Sequence, residues 1–396
     1  MTESHNFIVG TFNTPHLYTL SFVAPSTLSI VAKHPAVGSH SWLHLNESKT
    51  NLYATAWTEP PSVVAYTISD AAGRSVKQIS LAPTATRSGY VTATSTALYS
   101  AGGPSGEVFS LDSETGEIIS PLDHINGHAN GVNGTKSAIL PLQKLNFLDG
   151  QEGNTANGVL DFGGLRHGAH SADLSPDNKA LYVADIGRNC IWTYAVSEDG
   201  SLTLGEKHIS PRKDDGPRHV WPHPTGKHVY CLQEHTSIVD VFETSQGGTI
   251  LKHVQGVKII PAEMSPKLFW ADEVRTSFSS GSQPKYMYAS TRGLEAETKG
   301  YLAVFALTEE GLVDEKQGDK GLLDMWQTPT SGGWANAVQP GPTVDGMEYL
   351  ALTDSEEGLV MVCSWDGQTI RECARVKLQG GTEGKVEGAA TAVWLS

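Results

Sequence analysis

The chain alternates short runs of apolar and β-branched residues with clusters of Gly, Asp, Asn and Pro. NFIVGTF, NLYATAW, TALYSAG, KALYVAD, KHVYCLQ, YMYASTR and EYLALTD are such runs. Each is short, alternates at or near period two and is bounded by turn residues, so each predicts a β-strand. Almost no stretch carries the 3.6-residue period of an amphipathic helix. Six runs align on a tyrosine, namely Tyr53, Tyr99, Tyr182, Tyr230, Tyr288 and Tyr349, with steps of 46, 83, 48, 58 and 61 residues. A period of roughly 40–50 residues with several strands per unit belongs to propeller blades, none of which can bury its faces alone. With a first unit at FIVGTF, the expected architecture is an all-β, seven-bladed β-propeller spanning residues 1–396 as one domain. The C-terminal run ATAVWL is expected to pair with the N-terminal strand, which closes the ring and removes an exposed sheet edge.

The 83-residue step contains the main break in the period. Residues 121–168 are rich in Gly and Asn, and are expected to form a long insertion between blades that partly covers a site.

The best-preserved pair of repeats is HSADLSPDNKALYVAD from His170 and RHVWPHPTGKHVYCLQE from Arg218. They superpose with Pro176 on Pro224, Lys179 on Lys227 and Tyr182 on Tyr230. PTGK is therefore a turn between strands, not a phosphate loop opening a helix. His170 and Arg218 each stand twelve residues before their tyrosine, so they should open the same strand in adjacent blades. Glu234 and Arg292 each stand four residues after theirs, just past the end of the second strand. Blade-equivalent positions are related by rotation about the central channel, so these four side chains are expected to converge. Singly, each has a structural reading as well: the arginines as turn residues, His170 as a hydrogen-bonded strand end, and Glu234 as a partner of Lys227 or a neighbouring histidine. Their equivalence sets them apart.

His219, His223, His228 and His235 crowd the same stretch but match no metal-binding spacing, and His167 with His170 adds little. No metal is expected, and these histidines are assigned structural or solvent-facing places, with His219 a neighbour of the site. No G-x-S-x-G elbow marks a serine hydrolase.

A formal charge of −15 argues against a nucleic-acid partner, because phosphate binding needs a basic face. An anionic ligand must find local arginines. The N-terminus lacks a basic segment followed by an apolar one, and no run approaches the length of a membrane span, so a soluble cytoplasmic protein without a membrane partner is expected. Cys190, Cys231, Cys363 and Cys373 show no paired spacing and are expected to be reduced, structural thiols.

HSADLSPDNKALYVADIGRNCIWTY, GPRHVWPHPTGKHVYCLQE, KYMYASTRG, TPTSGGWANAV and LALTDSEEGLV together resemble the fungal 3-carboxy-cis,cis-muconate lactonizing enzymes, or carboxymuconate cyclases. These belong to the seven-bladed propeller lactonase superfamily, which includes a bacterial type of 6-phosphogluconolactonase. The likeness runs from about residue 165 to the C-terminus and is weaker before it. It implies an isomerase of aromatic catabolism, in the β-ketoadipate pathway, that converts 3-carboxy-cis,cis-muconate to a carboxymuconolactone without a cofactor. The family's site residues fall on His170, Arg218, Glu234 and Arg292. Arg218 and Arg292 would then each hold a carboxylate of a small polycarboxylate substrate, and His170 or Glu234 would move the proton, a choice the sequence leaves open. Where the fungal enzymes read TSGGH this chain reads TSGGW; Trp334 stands either beside the substrate, favouring less charge or more apolar surface there, or packed at a blade seam. A lactonase hydrolysing a sugar lactone and a noncatalytic binding platform are the rival readings. A homo-oligomer is left open.

Overall fold

The computed structural model describes residues 3–121, 138–148, 168–278, 283–379 and 386–396. The alternating runs form antiparallel strands grouped in seven sheets, each built of chain-adjacent strands except the first. That first blade takes its innermost strand, Ala389–Trp394, from the C-terminus and sets it antiparallel to Ser4–Thr11, with Phe7 opposite Trp394. The two rings lie 4.4 Å apart, so the closure is a packed hydrophobic seam as well as a hydrogen-bonded ladder. Among the described residues no helix is long and apolar enough to cross a membrane.

Blades four, five and six carry the site. Their innermost strands are Ala169–Leu174, Pro217–Pro222 and Phe269–Thr276, followed by the second strands Ala180–Asp185, His228–Gln233 and Tyr286–Gly293. The second strands are almost wholly buried, whereas outer strands such as Leu202–Ile209 are largely open to solvent. The repeated tyrosines have a physical reason. All six rings are buried, and three reach into the next blade: Tyr53 donates to Gly116 O at 3.2 Å, Tyr230 to Gly311 O at 2.7 Å, and Tyr288 to Glu348 Oε2 at 2.6 Å, whereas the Tyr99 hydroxyl is buried without a hydrogen-bond partner. One residue thus supplies apolar area and a satisfied polar tip at a blade seam.

Of the 121–168 segment, the described part joins the third blade. Ile118–Ile119 pairs with one end of Ser105–Leu111, and Gln143–Asn146 with the other, so the outer edge of this blade is made of two pieces. Residues 122–137 and 149–167, including His167, lie outside the described residues.

Candidate active site

Three innermost strands carry the same local irregularity. In each, one extra residue breaks the register against the second strand, and that residue is His170 in blade four, Arg218 in blade five and Asp272 in blade six. A bulge of this kind re-aims a side chain that strict alternation would send elsewhere. Gly168 and Gly216, at φ +73° and +72°, turn the chain into the first two of these bulges. Glu234 follows the end of its strand and is tied to Gly216, while Arg292 lies inside its strand opposite Trp270. The two are equivalent across blades, although Arg292 is not beyond the strand end as the sequence suggests.

The structure brings all four sequence candidates together on the wall of one cavity of about 750 Å³. Arg218 donates from Nη1 to Glu234 Oε1 at 3.0 Å and to His170 Nε2 at 2.9 Å. Its Nη2 donates to Asp272 Oδ1 at 2.9 Å and its Nε to the Asp272 carbonyl at 3.0 Å. Arg292 donates from Nη2 to the same Glu234 Oε1 at 2.7 Å and from Nη1 to the Trp334 carbonyl at 2.7 Å. It also stacks over Trp270, 5.1 Å from the ring centre. Asp272 Oδ2 accepts from the Asn336 backbone at 3.0 Å, which ties blade seven to the cluster.

The two arginines therefore differ in what they can offer a ligand. A guanidinium has five N–H donors. Arg218 commits four of them to Asp272, Glu234 and His170 and retains one, so a paired clamp on a substrate carboxylate is not open to it. Arg292 commits two and retains three, including a buried Nε that has no hydrogen-bond partner but is ion-paired with Asp272 Oδ1 at 3.6 Å.

His170 is neutral. Burial, reinforced by Arg218, His219 and Arg292, holds its imidazole well below the ordinary histidine range. Because arginine only donates, His170 Nε2 must accept, and the ring proton sits on Nδ1, which has no partner. Glu234 makes no hydrogen bond to His170; its Oε1 joins the arginines and its Oε2 has no hydrogen-bond partner.

Trp334 stands at the mouth of the cavity, 61% exposed, with Phe12 and Trp57 at 6.0 and 6.4 Å. Its backbone positions Arg292 while its indole faces the opening. Of the other histidines, His223 and His228 serve turns, bonding Thr225 and the Glu310 carbonyl. His219 is not merely adjacent. It lines the cavity, its ring 5.0 Å from that of His170, and its Nδ1 lies 2.7 Å from Glu273 Oε1.

The seven-bladed β-propeller lactonase family matches residues 6–319. The chain belongs to that family. It is an enzyme of this family, 40% identical over 99% of its length and 98% of the relative's to muconate cycloisomerase 1 of Cutaneotrichosporon cutaneum. It is 33% identical to the carboxy-cis,cis-muconate cyclase of Neurospora crassa over 53% of this chain and 57% of that one. A periplasmic gluconolactonase from Pseudomonas aeruginosa shares the fold, with a TM-score of 0.75 over 100% and 99% of the two chains at 15% identity.

Within this lactonase-family site, sequence reasoning misses Asp272, Glu273 and the place of His219. Counting back twelve from Tyr288 reaches Thr276, because the first turn of blade six is longer than those of blades four and five; Asp272 stands sixteen residues before its tyrosine. Register against the second strand finds it instead: in all three blades the bulged residue directly follows the one paired with the position three past the tyrosine, Asp185, Gln233 or Thr291.

Proposed function

We propose that the chain is a cycloisomerase that closes a lactone within a conjugated dienoic acid of the cis,cis-muconate type, one carboxylate oxygen adding across a C=C bond conjugated to another carboxyl. The observation that carries this reading is the pair of buried guanidinium groups, Arg218 and Arg292, joined through one oxygen of Glu234 on the cavity wall. The addition pushes negative charge onto the second carboxyl as an enolate-like species. Arg292, with three donors left, receives that carboxyl, and the remaining Nη2 donor of Arg218 assists. In a site away from bulk water such donors stabilise developing charge more than they would in solution. Glu234 and Asp272 fix the guanidinium planes before the substrate arrives. His170 contributes an Nδ1–H to hydrogen-bond the substrate. A proton is also consumed, since a dianionic muconate becomes a monoanionic lactone. This reading takes residues 1–396 as one catalytic domain, because the C-terminal strand completes the first blade.

Within the muconates, the dicarboxylate is the better fit than the 3-carboxy acid. The outer cavity is lined by Glu59, Glu295 and Glu356 against Arg87 alone, so a third carboxylate meets more negative than positive charge. Trp334 replaces the histidine of the TSGGH motif, and a relative that resembles the chain over 99% of its length carries the muconate name. Purified protein is offered cis,cis-muconate, 3-carboxy-cis,cis-muconate and 6-phosphogluconolactone, and each is followed spectrophotometrically. The expected order of kcat/KM is muconate, then its 3-carboxy derivative, with no sugar-lactone hydrolysis. Hydrolysis of the sugar lactone with both muconates untouched transfers the site to the lactonase reading, and silence on all three revives the binding platform.

A further inference from the structure

Lactone closure needs a proton at the carbon beside the clamped carboxyl, and the geometry of His170 makes it a poor source. Its Nε2 faces an Arg218 N–H at 2.9 Å. Protonating that nitrogen sets two donors against each other, and giving up the Nδ1 proton instead leaves an imidazolate. A second histidine on the same cavity is arranged differently. His219 is 2% exposed, and its Nδ1 and Glu273 Oε1 are 2.7 Å apart, a separation at which imidazole and carboxyl share a proton. Its Nε2 is buried and has no hydrogen-bond partner. The ring is fixed edge-on to Trp42 and Tyr90, with centroids 5.1 and 5.5 Å away.

We propose that His219, backed by Glu273, is the catalytic residue that delivers the proton to the substrate carbon. The inference rests on the cycloisomerase reading. The transferable proton leaves from Nε2, and the electron pair of the enolate-like intermediate forms the new C–H bond. Nε2 keeps the electrons of its broken N–H bond, and the proton between Nδ1 and Glu273 remains on Nδ1. The substrate becomes the monoanionic lactone and the His219–Glu273 pair gains one negative charge, neutralised again by a proton from water after product leaves. Glu273 acts through His219 and is a positioning residue. The charged and titratable groups around the pair are Arg218 on its own strand, Asp272 and Arg275 beside Glu273, Glu234, and from neighbouring blades His170, Tyr90 and Asp173. Arg275 is ion-paired with Glu273 at 2.7 Å and donates to Tyr90 at 3.2 Å, Tyr90 donates to Asp173 at 2.8 Å, and the Val274 N–H donates to Glu273 Oε1 at 3.1 Å, so the carboxyl is held from behind. Burial lifts the Glu273 carboxyl to about 8 despite Arg275, while burial and Arg218 hold the His219 imidazole low, so at neutral pH the pair is uncharged and holds two protons, one on Nε2 and one between Nδ1 and Glu273.

The test has two arms. His219→Ala is expected to lower kcat on cis,cis-muconate by about 10²–10⁴, the usual worth of a positioned acid or base, with KM changed little and added imidazole restoring part of the rate. Glu273→Gln is expected to lower kcat and to remove its fall above about pH 8. A His219→Ala enzyme that is folded by circular dichroism and turns over within about threefold of wild type overturns the proposal, since that loss is below the range for acid/base catalysis. The second arm needs no turnover. In ¹⁵N-histidine NMR of the full chain, His219 Nε2 is expected to lose its proton near the Glu273 transition and Nδ1 to keep its own, with the transition absent in Glu273→Gln. An Nε2 that stays in one state across the neutral and alkaline range overturns the proposal. Failure of the wild-type enzyme on every muconate sinks the cycloisomerase reading, and the NMR arm then still decides whether the pair holds and releases a proton.

Discussion

Arg218 and Arg292 bond the same glutamate oxygen, yet removing them should have different consequences. Arg292→Ala takes away the donors reserved for ligand while Glu234 and Asp272 keep Arg218. Its kcat/KM should fall roughly 10²–10³-fold, the loss typical of a missing oxyanion donor. Its melting temperature should stay near wild type. Arg218→Ala leaves Asp272, Glu234 and His170 all short of a partner in a buried cluster. Breaking one side of such a pair costs about 3–5 kcal/mol, so urea denaturation should show a large loss of stability alongside lost activity. Equal stability losses in the two variants would contradict this division of labour. At the rim, Trp334→His restores a hydrogen-bonding group where the indole stands. The ratio of kcat/KM for the 3-carboxy acid over muconate should rise about tenfold, equivalent to about 1.4 kcal/mol, in a competition assay.

At the scale of strands and turns, most of the molecule was legible because a tyrosine marks six of the seven repeats; its buried ring fills the blade, and at Tyr53, Tyr230 and Tyr288 its hydroxyl also caps the seam. His170, Arg218, Glu234 and Arg292 could be found by their distance from that mark. Asp272 could not, because a longer turn displaces it from the count while the bulge keeps it in place spatially. His219 was obscured for another reason. Alternation says which face of a strand a residue takes, but the meaning of His219 comes from Glu273 in the next blade, a contact across 54 residues that no local pattern reports. Ring closure was legible from ATAVWL, and it makes a prediction at this scale. Trp394 is 7% exposed, stacks near Phe7 and donates to the Gln339 carbonyl at 3.1 Å, so it ties the C-terminal strand to blades one and seven. Trp394→Ala should cost about 3–5 kcal/mol by chemical denaturation, as expected for a large aromatic removed from a core. A loss under about 1 kcal/mol, the scale of a surface change, would mean that the seam is not needed to hold the ring shut.

For the whole molecule, the buried ionisable groups should give stability a maximum just below neutral pH. His40, His44 and His223 are depressed to about 4 by burial, and His170 and His219 lie well below their ordinary value for the same reason. The unfolded chain binds protons at these positions first, so stability should fall as pH drops from about 6.5 towards 4. Asp173 and Asp185 are raised to about 7 and Glu273 to about 8, again by burial. These carboxyls are already ionised in the unfolded chain above about pH 5, while the fold still holds their protons, so they erode stability as pH rises to 7 and 8. Between about 4 and 6.5 the two sets oppose each other, and the five strongly depressed histidines outnumber the three strongly raised carboxyls. His34 and His235 on one side and Glu107, Asp215, Glu348 and Asp354 on the other are shifted less. Above 6.5 the histidine gain is complete and the carboxyl loss continues. At about 1.4 kcal/mol per unit for each group, the decline from about pH 6.5 to 8 should reach a few kcal/mol. Urea denaturation at fixed ionic strength, repeated across this range, measures it; a flat or rising curve above pH 6.5 would remove the argument. Glu273 is the last of the three carboxyls to ionise and so carries the largest share of that decline. Glu273→Gln should therefore flatten the alkaline side and, by removing the same opposing loss between about pH 5 and 6.5, steepen the rise on the acid side, which ties the proton that His219 is to deliver to a cost the whole fold bears.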